Sequence, residues 1–231
     1  MARGFGATLG VSTTDRLISV NTTNPVSETL SAWVYRNGSG GDTFGAVLES
    51  SDQRTIWGHD GSTTTMRYYR TWSSAPFAGW WTCPLPSSGA WHHLVVTYNG
   101  SSTTNDPVMY VDDVSQTVTE VLTPAGTVAT DTSAWCFGNR AADQSKCWDG
   151  LLADVAGWSR MLTRNEIHEL AAGRNPRTIT TNLLEAITMP GTTTPLSIIS
   201  GPTVTGTLGT NNDPPLIHSI PSPIGAGIFR T

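Results

Sequence analysis

Trp148-Asp-Gly-Leu-Leu-Ala-Asp-Val-Ala-Gly-Trp-Ser-Arg-Met-Leu-Thr-Arg-Asn-Glu-Ile-His-Glu-Leu-Ala-Ala-Gly173 is the stretch that decides the fold. Its first part, Leu151 to Trp158, is apolar except for one carboxylate, Asp154, and reads as a buried strand. Thr163 then opens a helix. Its hydroxyl can accept from the Glu166 N–H, and the Glu166 side chain can reach back to the Thr163 N–H. Leu162 sits where a hydrophobic staple to Ile167 belongs. Ile167, Leu170 and Ala171 form one apolar stripe, and Gly173 supplies the stop. No other segment makes a convincing helix. One short helix after a long β run reads as a lid docked on a sheet.

The composition agrees with a large all-β domain. The chain has 231 residues, 23 Gly, 14 Pro and 9 Trp, and only 13% of it is charged, well below the usual quarter. The net charge is −5 and there is no basic run, which argues against nucleic acid as a partner. No segment is apolar enough to span a membrane, and the start has no stretch of signal-peptide length. Cys83, Cys136 and Cys147 are too few for a disulfide scaffold. The chain therefore reads as made in a cytoplasm, yet it is Thr/Ser/Gly-rich and low in charge like an extracellular β protein. A virion component, made in a host cytoplasm and working outside it, satisfies both.

Strands are expected at Arg16–Val20, Glu28–Tyr35, Phe44–Ser50, Thr55–His59, Trp91–Tyr98, Val108–Val111 and Ser133–Gly138. Both faces of Glu28–Tyr35 are apolar, which suits a strand in the middle of a sheet. Thr63–Trp72 alternates weakly and breaks at Ser73–Phe77, so the region from 57 to 81 reads as loop-rich. Val108–Val111 is expected to pair through Asp112-Asp113 with Val114–Val121. Asn99-Gly100 marks a turn.

Leu30–Tyr35 (LSAWVY), Trp91–Gly100 (WHHLVVTYNG), Val108–Asp113 (VMYVDD), Cys136–Arg140 (CFGNR) and Trp148–Thr163 follow one another in an order that resembles the laminin G-like, concanavalin A-like lectin/glucanase superfamily. The resemblance covers roughly residues 5–173. It implies a jelly roll, an antiparallel β-sandwich with Greek-key returns, and members that bind sugars, proteins or calcium, or that hydrolyse glucans. Residues 1–173 are thus read as the sandwich domain. Residues 174–231 are read as an extended, Pro-rich tail with strands at 196–199 and 203–208, serving as an assembly arm. A tail of this kind also resembles those that follow laminin G-like domains in proteins of tailed bacteriophages.

Each chemical reading has a plainer rival. The acidic alternation E-x-D-x-x-E that the glucanase branch places on one strand is missing, so no catalytic residue is expected and the chain reads as non-enzymatic. His92 and His93 are neighbours on a strand and point to opposite faces, so they cannot hold one metal. Asn139, Asp143 and Asp149 are a thin calcium cluster, short of the six to eight oxygens that ion takes; no other cofactor is expected. Cys136 and Cys147 flank one loop and could form a disulfide after release from the cell. Trp57, Tyr68, Trp72, Trp80 and Trp81 are the partner-binding candidates, because aromatic faces stack on sugars and anchor interfaces. Trp80 and Trp81 should point opposite ways. Trp33, Trp91, Trp135 and Trp158 read as core.

The functional expectation is a structural protein of a bacteriophage virion, decorating or bracing the capsid through protein–protein contacts, and a homo-oligomer. The alternative is a lectin-like module that binds a glycan. A glycoside hydrolase is the least favoured reading.

Overall fold

The computed structural model describes residues 2–5, 16–19, 22–60, 64–187, 203–205 and 209–211. Two antiparallel sheets stack face to face. Sheet A runs β11 (Val114–Ser115), β10 (Val108–Val111), β9 (Trp91–Asn99), β4 (Ser27–Arg36), β16 (Gly150–Trp158), β1 (Ala2–Phe5) and β19 (Gly209–Asn211), with β17 (Leu183–Ile187) also on β16. Sheet B runs β12 (Thr119–Leu122), β8 (Ala78–Pro84), β7 (Thr65–Ser74), β6 (Thr55–His59), β5 (Gly45–Ser50), β15 (Trp135–Phe137), β2 (Arg16–Ile18) and β18 (Thr203–Thr205), with β13 (Ala125–Val128) also on β7. A short pair, β3 (Thr22–Asn24) with β14 (Asp131–Ser133), stands beside them. This is the expected jelly-roll sandwich.

β16 is buried along its whole length. β4 covers one of its edges; β1 and then β17 share the other. Asp154 takes the bulge between Ala153 and Ala156, at φ 48, which lets a carboxylate sit in an apolar run without breaking the strand. Gly150 could not be any other residue: its φ is +146, and a Cβ there would lie 1.9 Å from the Tyr35 carbonyl oxygen.

The chain's one α-helix among the described residues is α1 (Arg164–Ala171), and the capping box is present. Arg160 adds a two-pronged ion pair to Glu166, at 2.8 and 2.5 Å, and holds that carboxyl down at about 2. Leu162, Ile167 and Leu170 pack with Val95, Ala156 and Trp158, so α1 covers part of the outer face of sheet A.

The expected Val114–Val121 strand does not exist as one piece. Only Val114–Ser115 continues the hairpin; Thr119–Leu122 crosses over and pairs with β8 in the other sheet. Past Gly173 the chain keeps contact with the sandwich. The Trp158 indole donates to the Ile179 carbonyl at 2.8 Å, β17 pairs with β16, and β18 and β19 join edges of the two sheets. The strand expected at 196–199 and the last residues lie outside the described residues.

The interior is aromatic. Trp57, Tyr68, Trp72, Trp81, Tyr98, Trp135 and Phe137 belong to one cluster with Leu30, Leu48, Val96 and Leu152. Arg70 is also inside, fully buried, where it meets Glu28 at 3.1 Å, Thr55 at 2.5 Å and the Pro25 carbonyl at 2.8 Å. The Tyr68 hydroxyl donates to the same Glu28 oxygen at 2.6 Å. A buried charge survives only when paired in this way.

Candidate functional site

The stretch from 57 to 81 is not loop-rich. It is the three-stranded core of sheet B, β6–β7–β8, and strict alternation sorts its side chains. Trp57, Tyr68, Trp72 and Trp81 point inward and are at most 2% exposed, so four of the five residues expected to bind a partner hold the core together instead. Trp81 also donates its indole N–H to Asp106 at 2.7 Å. Trp80 alone points out, as alternation requires, and is half-buried.

The outer face is built row by row from the strand register. Trp80, Tyr69, Ile56, Glu49 and Cys136 lie side by side across β8, β7, β6, β5 and β15. Beside them run Thr82, Arg67, Gly58 and Ala46. Arg67 is the hub. Its guanidinium lies 4.7 Å from the Phe44 ring centre, 5.0 Å from Trp80 and 5.9 Å from Tyr69. Asp60 approaches it at 3.7 Å, and its buried Nε has no hydrogen-bond partner among the described residues. Desolvation under the rings lowers its pKa. Gly58, opposite Arg67, lies close against β5; a Cβ there would meet the Gly45 carbonyl at 2.3 Å. Sequence reading missed Arg67 and Phe44. The available signal was that they share alternation with Trp80.

One end of this face is covered. Arg140 reaches Glu49 at 3.2 Å, the Lys146 ammonium lies 5.5 Å from the Phe44 ring centre, and the Ala46 N–H donates to the Lys146 carbonyl. Glu49 is fully buried, and desolvation pushes its carboxyl up to about 7 against the pull of Arg140. Glu49 and Asp60 are thus each held by an arginine.

The remaining sequence candidates resolve as follows. Asn139 Oδ1 accepts from the N–H groups of Arg140 and Lys146, at 2.8 and 3.1 Å, and Asp143 Oδ1 accepts from Ser145 N–H and Oγ. These oxygens shape their own loop. Asp149 stands apart, packed on Gly38. Among the described residues no three His, Cys, Asp or Glu side chains gather as a metal site. Cys136 and Cys147 are both buried thiols, as is Cys83. No disulfide joins them because Cys136 lies on the outer face beside Glu49 while Cys147 packs in the core. Burial pushes the Cys136 and Cys83 thiols up to about 12. His92 and His93 do diverge: His93 is buried against Ser31 at 2.9 Å, while His92 meets Ser87 and Asp112. Trp135 and Trp158 are core, but Trp33 and Trp91 are half-buried with Tyr35 on the outer face of sheet A, because they alternate with Ala32, Val34 and Leu94, which point inward. A partly open cavity bordered by Trp57, Met66, Leu94 and Met109 has a volume of about 10 Å³, room for one water and no ligand. No helix among the described residues is long and apolar enough to cross a membrane.

Comparison with known proteins agrees with this architecture. A laminin G-type family profile, described as the concanavalin A-like lectin/glucanases superfamily, matches residues 5–168. The heptameric SAP-like pentraxin of Limulus polyphemus is similar with a TM-score of 0.57, 15% identity, and 76% of this chain and 83% of that one covered. A "putative carbohydrate binding protein" from Bacteroides ovatus is similar with a TM-score of 0.56, 15% identity, and 89% of this chain and 61% of that one covered. No curated protein sequence matches. With the strand order, the lone capped helix and the profile in agreement, the chain belongs to the concanavalin A-like lectin/glucanases superfamily.

Proposed function

We propose that this chain is a carbohydrate-binding module and that its ligand lies on the outer face of sheet B, over Trp80, Tyr69 and Arg67. The observation that carries the reading is the Arg67 guanidinium set among three aromatic rings on a sheet face that α1 does not cover. Sugars offer C–H faces that stack on indole and phenol rings, and hydroxyl oxygens that accept from a guanidinium. Trp80 and Tyr69 are paired across β8 and β7, so their rings present one surface rather than two isolated contacts. The family and the Bacteroides ovatus protein support a glycan as the class of ligand. The particle-surface role rests on composition and on the character of the tail.

A glycan array carrying neutral and acidic oligosaccharides tests the reading. Wild-type protein is expected to bind saturably, with Trp80→Ala and Arg67→Ala each weakening the same hits about tenfold or more. A silent array, or hits that both variants retain at full strength, refutes it.

A further inference from the structure

Ser87 and His92, five residues apart, meet Asp112, twenty residues beyond His92, at the end of the sandwich where the chain passes from β8 to β9. Ser87 lies in the crossing segment, His92 is the second residue of β9, and Asp112 opens the turn between β10 and β11. The Ser87 Oγ is 2.9 Å from His92 Nε2, and His92 Nδ1 is 2.6 Å from Asp112 Oδ2. An ionised carboxylate can only accept, so the proton of a neutral His92 belongs on Nδ1. That leaves Nε2 as the basic nitrogen, and it faces the serine hydroxyl. The order hydroxyl, imidazole, carboxylate, with these atoms in these roles, is the one that activates a serine nucleophile.

The constellation is held firmly from both sides. Asp112 Oδ1 accepts the His93 N–H at 2.8 Å, and the Asp112 N–H donates to the His93 carbonyl at 2.8 Å. Asp112 and Asp113 both sit at positive φ, 49 and 68, in the tight turn, and α1 clamps the Asp113 carboxylate through Arg164 and His168. On the other side, Leu85 N–H donates to Thr64 O at 2.6 Å and Gly89 N–H to Arg36 O at 2.9 Å, while the Arg36 guanidinium donates to the Pro86 carbonyl at 3.3 Å. Ser87 is exposed between these tethers, and His92 keeps 16% of its side chain open.

We propose that Ser87, His92 and Asp112 form a serine-hydrolase site for short-chain carboxylic esters. Ser87 Oγ adds to the ester carbonyl carbon as His92 Nε2 takes the hydroxyl proton. The bond from that carbon to the alcohol oxygen breaks, and the alcohol leaves with the proton from His92. Water then gives a proton to His92 and attacks the acyl-serine; the acid is released, and the proton returns to Ser87. Ser87 and His92 are the catalytic residues, and Asp112 positions the imidazole. The N–H groups of Ser87 and Ser88 donate to no described residue and are the candidate oxyanion donors. Residues 87–90 are all exposed, so the rim offers no deep slot for a long acyl chain and leaves room for a bulky alcohol portion.

The test uses a fluorophosphonate probe and p-nitrophenyl acetate on the full chain. The proposal expects covalent label on the peptide containing Ser87, and ester hydrolysis that Ser101→Ala, at a remote exposed serine, leaves unchanged. Ser87→Ala should abolish the label, and Ser87→Ala and His92→Gln should each lower hydrolysis about 100-fold or more. Asp112→Asn should keep the fold by circular dichroism and lower the maximal labelling rate, while leaving the probe concentration that gives half that rate unchanged. Absence of label on Ser87, or hydrolysis that survives in Ser87→Ala, overturns the proposal. Asp112→Asn labelling at the wild-type maximal rate overturns the role of Asp112.

Discussion

The two faces of β6, β7 and β8 carry similar residue types and do opposite jobs. Inward, Trp57, Tyr68, Arg70, Trp72 and Trp81 are sealed, and their polar atoms mostly find protein partners such as Glu28, Thr55 and Asp106. Outward, Arg67 lies against the Tyr69 and Trp80 rings, and all three keep some surface open. A tryptophan and an arginine appear on each face. The lesson is that neither residue type marks a site by itself; which side of the pleat it occupies decides whether it stabilises the fold or meets a ligand.

Substitution should separate the two faces sharply. Arg70→Ala leaves Glu28 buried and unpaired and should cost roughly 3–5 kcal/mol in urea unfolding. Trp81→Ala should cost about as much, roughly 3–5 kcal/mol, by opening a cavity in the core. Trp80→Ala should stay within about 1 kcal/mol of wild type. Equal losses at 80 and 81 would erase the distinction.

The outer face also carries a pH dependence. Glu49 has a folded value of about 7, above the ordinary 4.5, chiefly because it is desolvated. Its protonated form therefore favours the fold below pH 4.5, and that contribution is lost as pH rises through 7, by about 3 kcal/mol. Glu49→Gln should flatten the fall in urea stability between those pH values; an unchanged slope would move the effect elsewhere. A small effect belongs to the lid on sheet A: Thr163→Ala removes the cap of α1 and should cost about 1 kcal/mol.

What could be read from the sequence was local. Thr163, Glu166, Leu162 and Ile167 fall within a few residues of each other, and together they specify α1. The double-sided apolarity of Leu30–Tyr35 marked a central strand, and β4 does lie between β9 and β16. Sheet B was harder because Arg70 occupies an inward position, so its strand looks weakly alternating until Glu28, from another strand and the other sheet, is brought beside it. The break at Ser73–Phe77 is a turn between paired strands, not a loop region. Ser87, His92 and Asp112 come from three elements, and no spacing in the chain announces their meeting.

The central claim is that ligand binding belongs to the outer face of sheet B and stability to its inner face. The most direct measurement is a matched pair of glycan-array binding and urea unfolding on Trp80→Ala and Trp81→Ala. The account predicts that Trp80→Ala keeps wild-type stability and loses the wild-type hits, while Trp81→Ala loses stability. A stably folded Trp80→Ala that binds every wild-type glycan undiminished would contradict it.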